Sequence, residues 1–231
     1  MSLTRSVIDG LECLTLTRPG TRKTVIMLHG FGADMNDLGP LHSYLDPAGK
    51  FNWIFPNGIR EVPIGPHVTG RAWFPIRMAD IEAAAMRGEV VDFSEVFPEG
   101  MHDAELRIKS LIHHLRIEAS DLVLGGFSQG AMMTCQVALT LPVDLCGMIL
   151  FSATCINRKV WEENAPKHQA IPFIQSHGKE DPILGFQHAE RLYSILTNAG
   201  LKGSFMPFQG FHEIPLPVIR ETQRFLDGLF S

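Results

Sequence analysis

Ser128 stands inside Gly126-Phe127-Ser128-Gln129-Gly130, between a short strand read at Asp121 to Leu124 and a helical stretch from Gln129 to Leu141. A serine held at a sharp strand-to-helix turn has its hydroxyl pushed out above the sheet, where it can act as a nucleophile. Gly126 and Gly130 fit because a Cβ at either place would collide with the turning chain. The five-residue pattern alone arises by chance in roughly one chain in ten of this length. The strand before it and the helix after it therefore carry the argument. The competing reading is a serine that caps the helix N-terminus.

An activated serine needs a base within hydrogen-bond reach, and the base needs a carboxylate to fix its tautomer. After a strand–serine–helix elbow these come in the order serine, acid, histidine. The histidines beyond Ser128 are His168, His177, His188 and His212. His188 falls within a helical stretch. His212, in Gln209-Gly-Phe-His-Glu-Ile-Pro, occupies a loop between the last strand and the last helix, and is expected to be the base. Among acids in the permitted interval, Glu180 and Asp181 alone follow directly on a strand, in His177-Gly-Lys-Glu-Asp-Pro. Asp181 is preferred because its short side chain sits against Pro182; Glu180 stays open. His177 and His29 each end an apolar strand before a glycine, and are expected to brace loops through backbone hydrogen bonds.

Acyl chemistry also needs two donors aimed at the oxygen on which charge develops. The residue after the serine supplies one, the backbone N–H of Gln129. The loop after an early strand, His29-Gly-Phe-Gly, supplies the other, with Phe31 the expected donor.

The elements that would position these groups are legible as periodicity. Near-continuous apolar runs at 23–29, 51–55, 121–124, 145–151, 171–177 and 202–208 read as strands, most of them buried on both faces, with 11–17 as an edge strand. Helical spacing appears at 36–45, 102–115, 129–141, 185–199 and 217–230. Strands alternating with helices predict an α/β fold with a mostly parallel, doubly wound sheet and helices on both faces. The 231 residues are expected to form one domain. Within it, 58–101 is irregular, rich in Gly and Pro, and expected to cover a substrate.

Composition narrows the function. A net charge of −5 without a basic run excludes a nucleic-acid partner. Apolar stretches are strand-sized, so no membrane insertion is expected, and the N-terminus lacks the apolar core of a signal peptide. Cys13, Cys135, Cys146 and Cys155 form no C-x-x-C pair and read as buried reduced thiols, consistent with the cytoplasm. No pattern for a metal or organic cofactor occurs, and none is expected.

Taken as a set, Leu28-His-Gly-Phe-Gly, Gly126-Phe-Ser-Gln-Gly, His177-Gly-Lys-Glu-Asp-Pro and Gly210-Phe-His-Glu-Ile resemble the phospholipase/carboxylesterase family of α/β-hydrolases, which includes bacterial carboxylesterases and acyl-protein thioesterases. The resemblance runs from about Val25 to Pro215. It implies the α/β-hydrolase fold, with nucleophile, acid and base at Ser128, Asp181 and His212, and oxyanion donors at Phe31 and Gln129. Gly70-Arg-Ala-Trp-Phe-Pro-Ile is similar to a segment of bacterial esterase members. The Pro-Ile-Leu-Gly after Asp181 departs from the family's Val-Pro. Both features point towards an esterase rather than a protein thioesterase.

The expected activity is hydrolysis of carboxylic esters with short to medium acyl chains, on a small-molecule or lipid-like substrate. A lysophospholipase or acyl thioesterase on the same triad is the nearer alternative. A non-catalytic binding protein on this scaffold is the distant one. Trp73 and Phe74, with the apolar residues that follow them to Phe97, are the expected substrate-binding surface. Oligomeric state is not legible from the sequence.

Overall fold

Strands whose successive side chains point to opposite faces build the floor on which the candidate groups stand. The computed structural model describes residues 2–230. Its elements run β1 (Thr4–Ile8), β2 (Leu11–Leu16), β3 (Thr24–Leu28), α1 (Leu41–Leu45), β4 (Asn52–Pro56), β5 (Arg60–Gly65), β6 (Val68–Ala72), α2 (Met78–Met86) and α3 (Met101–Leu115). They continue with β7 (Leu122–Phe127), α4 (Gln129–Thr140), β8 (Gly147–Phe151), α5 (Arg158–Asn164), β9 (Phe173–Gly178), α6 (Phe186–Asn198), β10 (Gly203–Phe208) and α7 (Leu216–Gly228).

Eight strands form one sheet in the order β1-β2-β4-β3-β7-β8-β9-β10. The six from β4 to β10 in that order are parallel, and β1 and β2 add an antiparallel edge. Burial on both faces is visible residue by residue. Ile26, Leu28, Leu124 and Leu150 join one core with residues of α3, α4 and α6. Val25, Met27, Val123 and Ile149 join a second core with Leu45, Val218 and Leu226 of α1 and α7. The fold is the expected α/β class.

In parallel strands all carboxyl ends lie at one edge of the sheet, where such folds bind ligands. β3 ends there before His29 to Phe31, β7 before Ser128, β9 before Asp181 and β10 before His212. Segments far apart in sequence thus share one rim.

Several expectations need correction. The helix expected at 36–45 shortens to α1, because the Asp34 side chain accepts the Asn36 N–H at 2.8 Å in a turn and Gly39-Pro40 interrupts the residues after it. The edge strand is β1, outside β2; its polar, largely exposed residues hid it. The stretch 58–101 is less irregular than its composition implies. It holds the β5–β6 hairpin, whose alternation Pro63 and Gly65 disturb, and the nine-residue α2, in which Ile81 and Ala84 alone are buried. Helix α5 adds to the expected elements.

All four cysteines are unpaired, and Cys13, Cys135 and Cys155 are buried. Burial pushes the Cys13 and Cys155 thiols up to about 12. Among the described residues no helix is long and apolar enough to cross a membrane.

Candidate active site

Ser128 occupies φ 55°, ψ −119°, a positive-φ conformation that a residue with a Cβ rarely adopts. Two glycines make the bend possible. A Cβ on Gly126 would stand 2.4 Å from the Gly130 carbonyl carbon, and one on Gly130 would stand 1.9 Å from the Leu28 carbonyl oxygen. The Ser128 N–H donates to the Phe151 carbonyl at 2.8 Å, and its carbonyl accepts from Ala131 and Met132 to start α4. Ser128 is therefore the helix N-cap by position. Its side chain makes no capping hydrogen bond, so the hydroxyl is not engaged by the helix it precedes.

Ser128 and His212 line the same cavity, of about 450 Å³. The His212 ring packs against Phe127, with centroids 4.7 Å apart. His212 Nδ1 lies 2.6 Å from Asp181 Oδ2. With Nδ1 engaged by the carboxylate, Nε2 is left as the nitrogen able to accept a proton.

Asp181 is held through both of its oxygens. Its Oδ1 accepts the backbone N–H groups of Ile183 at 2.9 Å and Leu184 at 3.0 Å. Its Oδ2 also faces His177 Nε2 at 3.2 Å, and both side chains are fully shielded from solvent. Burial acts to raise the Asp181 carboxyl, but the adjoining His177 and His212 rings, with the Leu184 N–H, outweigh it and hold the group well below the usual carboxylate range. Glu180, the alternative acid, is exposed.

The other histidines separate by their surroundings. His29 donates from Nδ1 to the Gly30 carbonyl at 2.7 Å and accepts the Gly58 N–H on Nε2 at 2.8 Å, so it is a neutral brace. Burial lowers it to about 4. His177 bonds the Leu184 carbonyl, the expected backbone bracing, and in addition touches Asp181, which was not expected. His188 is buried in α6, 3.7 Å from Asp92. His168 forms a second histidine–carboxylate pair with Asp144 at 2.7 Å, but in a separate groove beside Leu141 to Val143, without Ser128.

Phe31 lines the cavity beside Ser128. Among the described residues, no acceptor takes the backbone N–H of Phe31 or of Gln129. The Gln129 side chain is buried and engaged elsewhere: Oε1 accepts the Trp73 N–H at 2.9 Å and Nε2 donates to the Phe74 carbonyl at 2.7 Å. Sequence reasoning assigned Gln129 through its backbone alone and missed this second use. A polar residue in an otherwise apolar first helical turn was the available signal.

Of the two residues expected to contact substrate, Phe74 lines the cavity and Trp73 does not. Trp73 is fully buried, and its indole N–H donates to the His29 carbonyl at 2.9 Å. It is a brace because its polar edge is satisfied inwards. Ile76, Met78, Ile81, Val91, Phe93 and the exposed Val96 line the wall, whereas Met86 and Phe97 are exposed and do not line it. Among the described residues, no group of His, Cys, Asp or Glu is arranged to hold a metal ion.

The sequence pattern of the phospholipase/carboxylesterase family matches residues 16–229. The chain belongs to that family. Its members are hydrolases acting on ester bonds. Among curated relatives, acyl-protein thioesterase 1 of Saccharomyces cerevisiae is 29% identical over 189 residues, covering 77% of this chain and 78% of that protein. Acyl-protein thioesterase 1 of Cryptococcus neoformans is 31% identical over 188 residues, covering 75% and 72%. Among solved structures, a carboxylesterase from Mesorhizobium loti superposes with a TM-score of 0.74 at 17% identity, covering 97% of this chain and 99% of that one. Acyl-protein thioesterase 2 of Zea mays gives 0.72 at 23% identity, covering 95% and 99%. The structural likenesses establish the α/β-hydrolase fold.

Proposed function

We propose that this family member is a serine carboxylesterase that cleaves carboxylic esters with short to medium acyl chains through an acyl-enzyme. One observation carries the reading. Ser128, strained and uncommitted to helix capping, shares a cavity with His212, whose far nitrogen rests on buried Asp181.

In the proposed reaction, Ser128 Oγ attacks the ester carbonyl while His212 Nε2 takes its proton. Asp181 holds the imidazole and offsets the charge it gains. The N–H groups of Phe31 and Gln129 receive the oxyanion, and each such donor contributes about 3 to 4 kcal/mol to the transition state. Protonated His212 then gives its proton to the leaving alcohol. A water follows the same path in reverse to release the acid and restore Ser128.

The apolar wall from Phe74 to Val96 supports an acyl chain as the buried part of the substrate. The unpaired cysteines support a reducing, cytoplasmic setting.

The names of the curated relatives favour a second reading, cleavage of acyl thioesters on the same groups. Turnover on matched oxygen esters and thioesters, each in a series of rising acyl length, tests both. The expected outcome is an acyl-length optimum, with kcat/KM for oxygen esters at least equal to that for thioesters. Preference for thioesters would replace the first reading by the second. No dependence on acyl length would remove the wall's role.

A further inference from the structure

The two N–H groups assigned to the oxyanion belong to segments nearly a hundred residues apart, and their spacing must be set by something rigid. A third segment, Gly70 to Phe74, bonds to both. On one side it meets the loop that carries Phe31. The Gly32 N–H donates to the Arg71 carbonyl at 2.9 Å, and the Arg71 N–H donates to the Ala33 carbonyl at 2.8 Å. The approach is close enough that a Cβ on Gly70 would stand 1.9 Å from the Gly32 carbonyl oxygen. The Trp73 indole N–H reaches the His29 carbonyl, two residues before Phe31, at 2.9 Å.

On the other side the segment meets the elbow helix through one side chain. The Gln129 amide accepts from the Trp73 N–H and donates to the Phe74 carbonyl. Gln129 and Trp73 are fully buried, so water does not substitute for these bonds at low cost. The side chain and the backbone N–H of Gln129 share one Cα. Gripping the amide therefore orients the N–H.

We propose that Gly70–Phe74 is a positioning splint for the oxyanion site, with the Gln129 side chain as its clamp on the elbow and Trp73 as its clamp on the Phe31 loop. This rests on the proposed acyl-transfer reading of Ser128, and it assigns to the Gln129 amide a part in the reaction separate from that of its backbone. The bonds that make the splint, to the Gln129 amide and to the Phe31 loop, touch neither substrate nor the reacting atoms. It acts by holding two donors at the separation that the tetrahedral oxygen requires, an effect confined to the transition state.

The test compares Gln129→Met, which keeps length and removes both amide bonds, with Trp73→Phe, which keeps most of the ring and removes the indole N–H. Each is assayed on a p-nitrophenyl ester and titrated with a trifluoromethyl ketone that forms a tetrahedral adduct on the serine. The expected result is a fall in kcat of about 10- to 100-fold with KM changed less than about two-fold. Affinity for the ketone should fall by the same factor as kcat/KM. A purely structural role predicts a lower Tm with kcat/KM and ketone affinity unchanged in the folded variants, and that result overturns the splint. Should Gln129→Met not fold, Trp73→Phe decides alone by the same criterion. A wild-type protein that neither turns over esters nor binds the ketone would instead overturn the acyl-transfer reading.

Discussion

His177 Nε2 lies 3.2 Å from Asp181 Oδ2, the same oxygen that faces His212 Nδ1. The carboxylate is thus steadied from behind as well as from the site, and its charge is stabilised by both rings. Replacing His177 by Phe removes the ring nitrogen that the Asp181 carboxylate shares with the Leu184 carbonyl. Loss of a polar neighbour that steadies the acid holding His212 is expected to lower kcat about 10-fold. The Asp181 carboxyl should also move up towards its ordinary range. Titrating the Asp181 carboxyl by carbon NMR in the two proteins, beside their kcat values, checks this; an unchanged carboxyl midpoint with unchanged kcat would count against any link between His177 and the acid.

Asp181→Asn should lower kcat by about 10⁴, because the amide no longer selects the productive imidazole tautomer. The folded-state value of Asp181 is depressed, so its ionisation contributes stability at pH above the unfolded value of about 3.9 and loses it as pH falls through the folded value. Wild type should therefore lose stability relative to Asp181→Asn only below about pH 4. Denaturant unfolding of both from pH 3 to 7 measures the difference. A gap that changes between pH 5 and 7 would contradict the assignment of the shift to this carboxyl.

His29 is buried and neutral, lowered by burial to about 4. The unfolded chain binds a proton near pH 6.5 that the folded chain refuses until about pH 4, so stability rises with pH across that window. The full shift is worth about 3 kcal/mol. Ring NMR should find the proton on Nδ1 and a titration midpoint near 4; a midpoint near 6.5 would show that the Gly58 N–H does not hold Nε2.

Gly130→Ala should destabilise the fold by about 3 kcal/mol or more, since its Cβ meets the rigid Leu28 carbonyl at 1.9 Å rather than a movable side chain. Thermal unfolding checks it. An alanine variant with unchanged Tm would mean that the elbow is less tightly seated on β3.

Much of this was legible in the chain because the informative signals are local. Apolar runs marked the inner strands, and Gly126, Ser128 and Gly130 marked the elbow, since each glycine answers to backbone within a few ångströms. Order along the chain then singled out His212. What failed was whatever depends on contacts across sequence. Trp73 reads as an apolar ligand contact in sequence, yet its indole N–H finds a carbonyl in the core. The choice between Glu180 and Asp181 turned on which carboxylate faces inwards, and neighbouring residues do not reveal that. Helix α2 escaped because a surface helix with two buried residues carries little apolar periodicity. The hairpin escaped because Pro63 and Gly65 broke its alternation.

If Ser128 is the nucleophile in acyl transfer, a reagent that traps such serines must bond to its oxygen. Incubation with a fluorophosphonate, followed by peptide mass spectrometry, should place a single adduct on Ser128. Ser128→Ala should take up no label and turn over esters about 10⁶-fold more slowly. An adduct elsewhere, or a Ser128→Ala protein with near-full activity, would contradict the account.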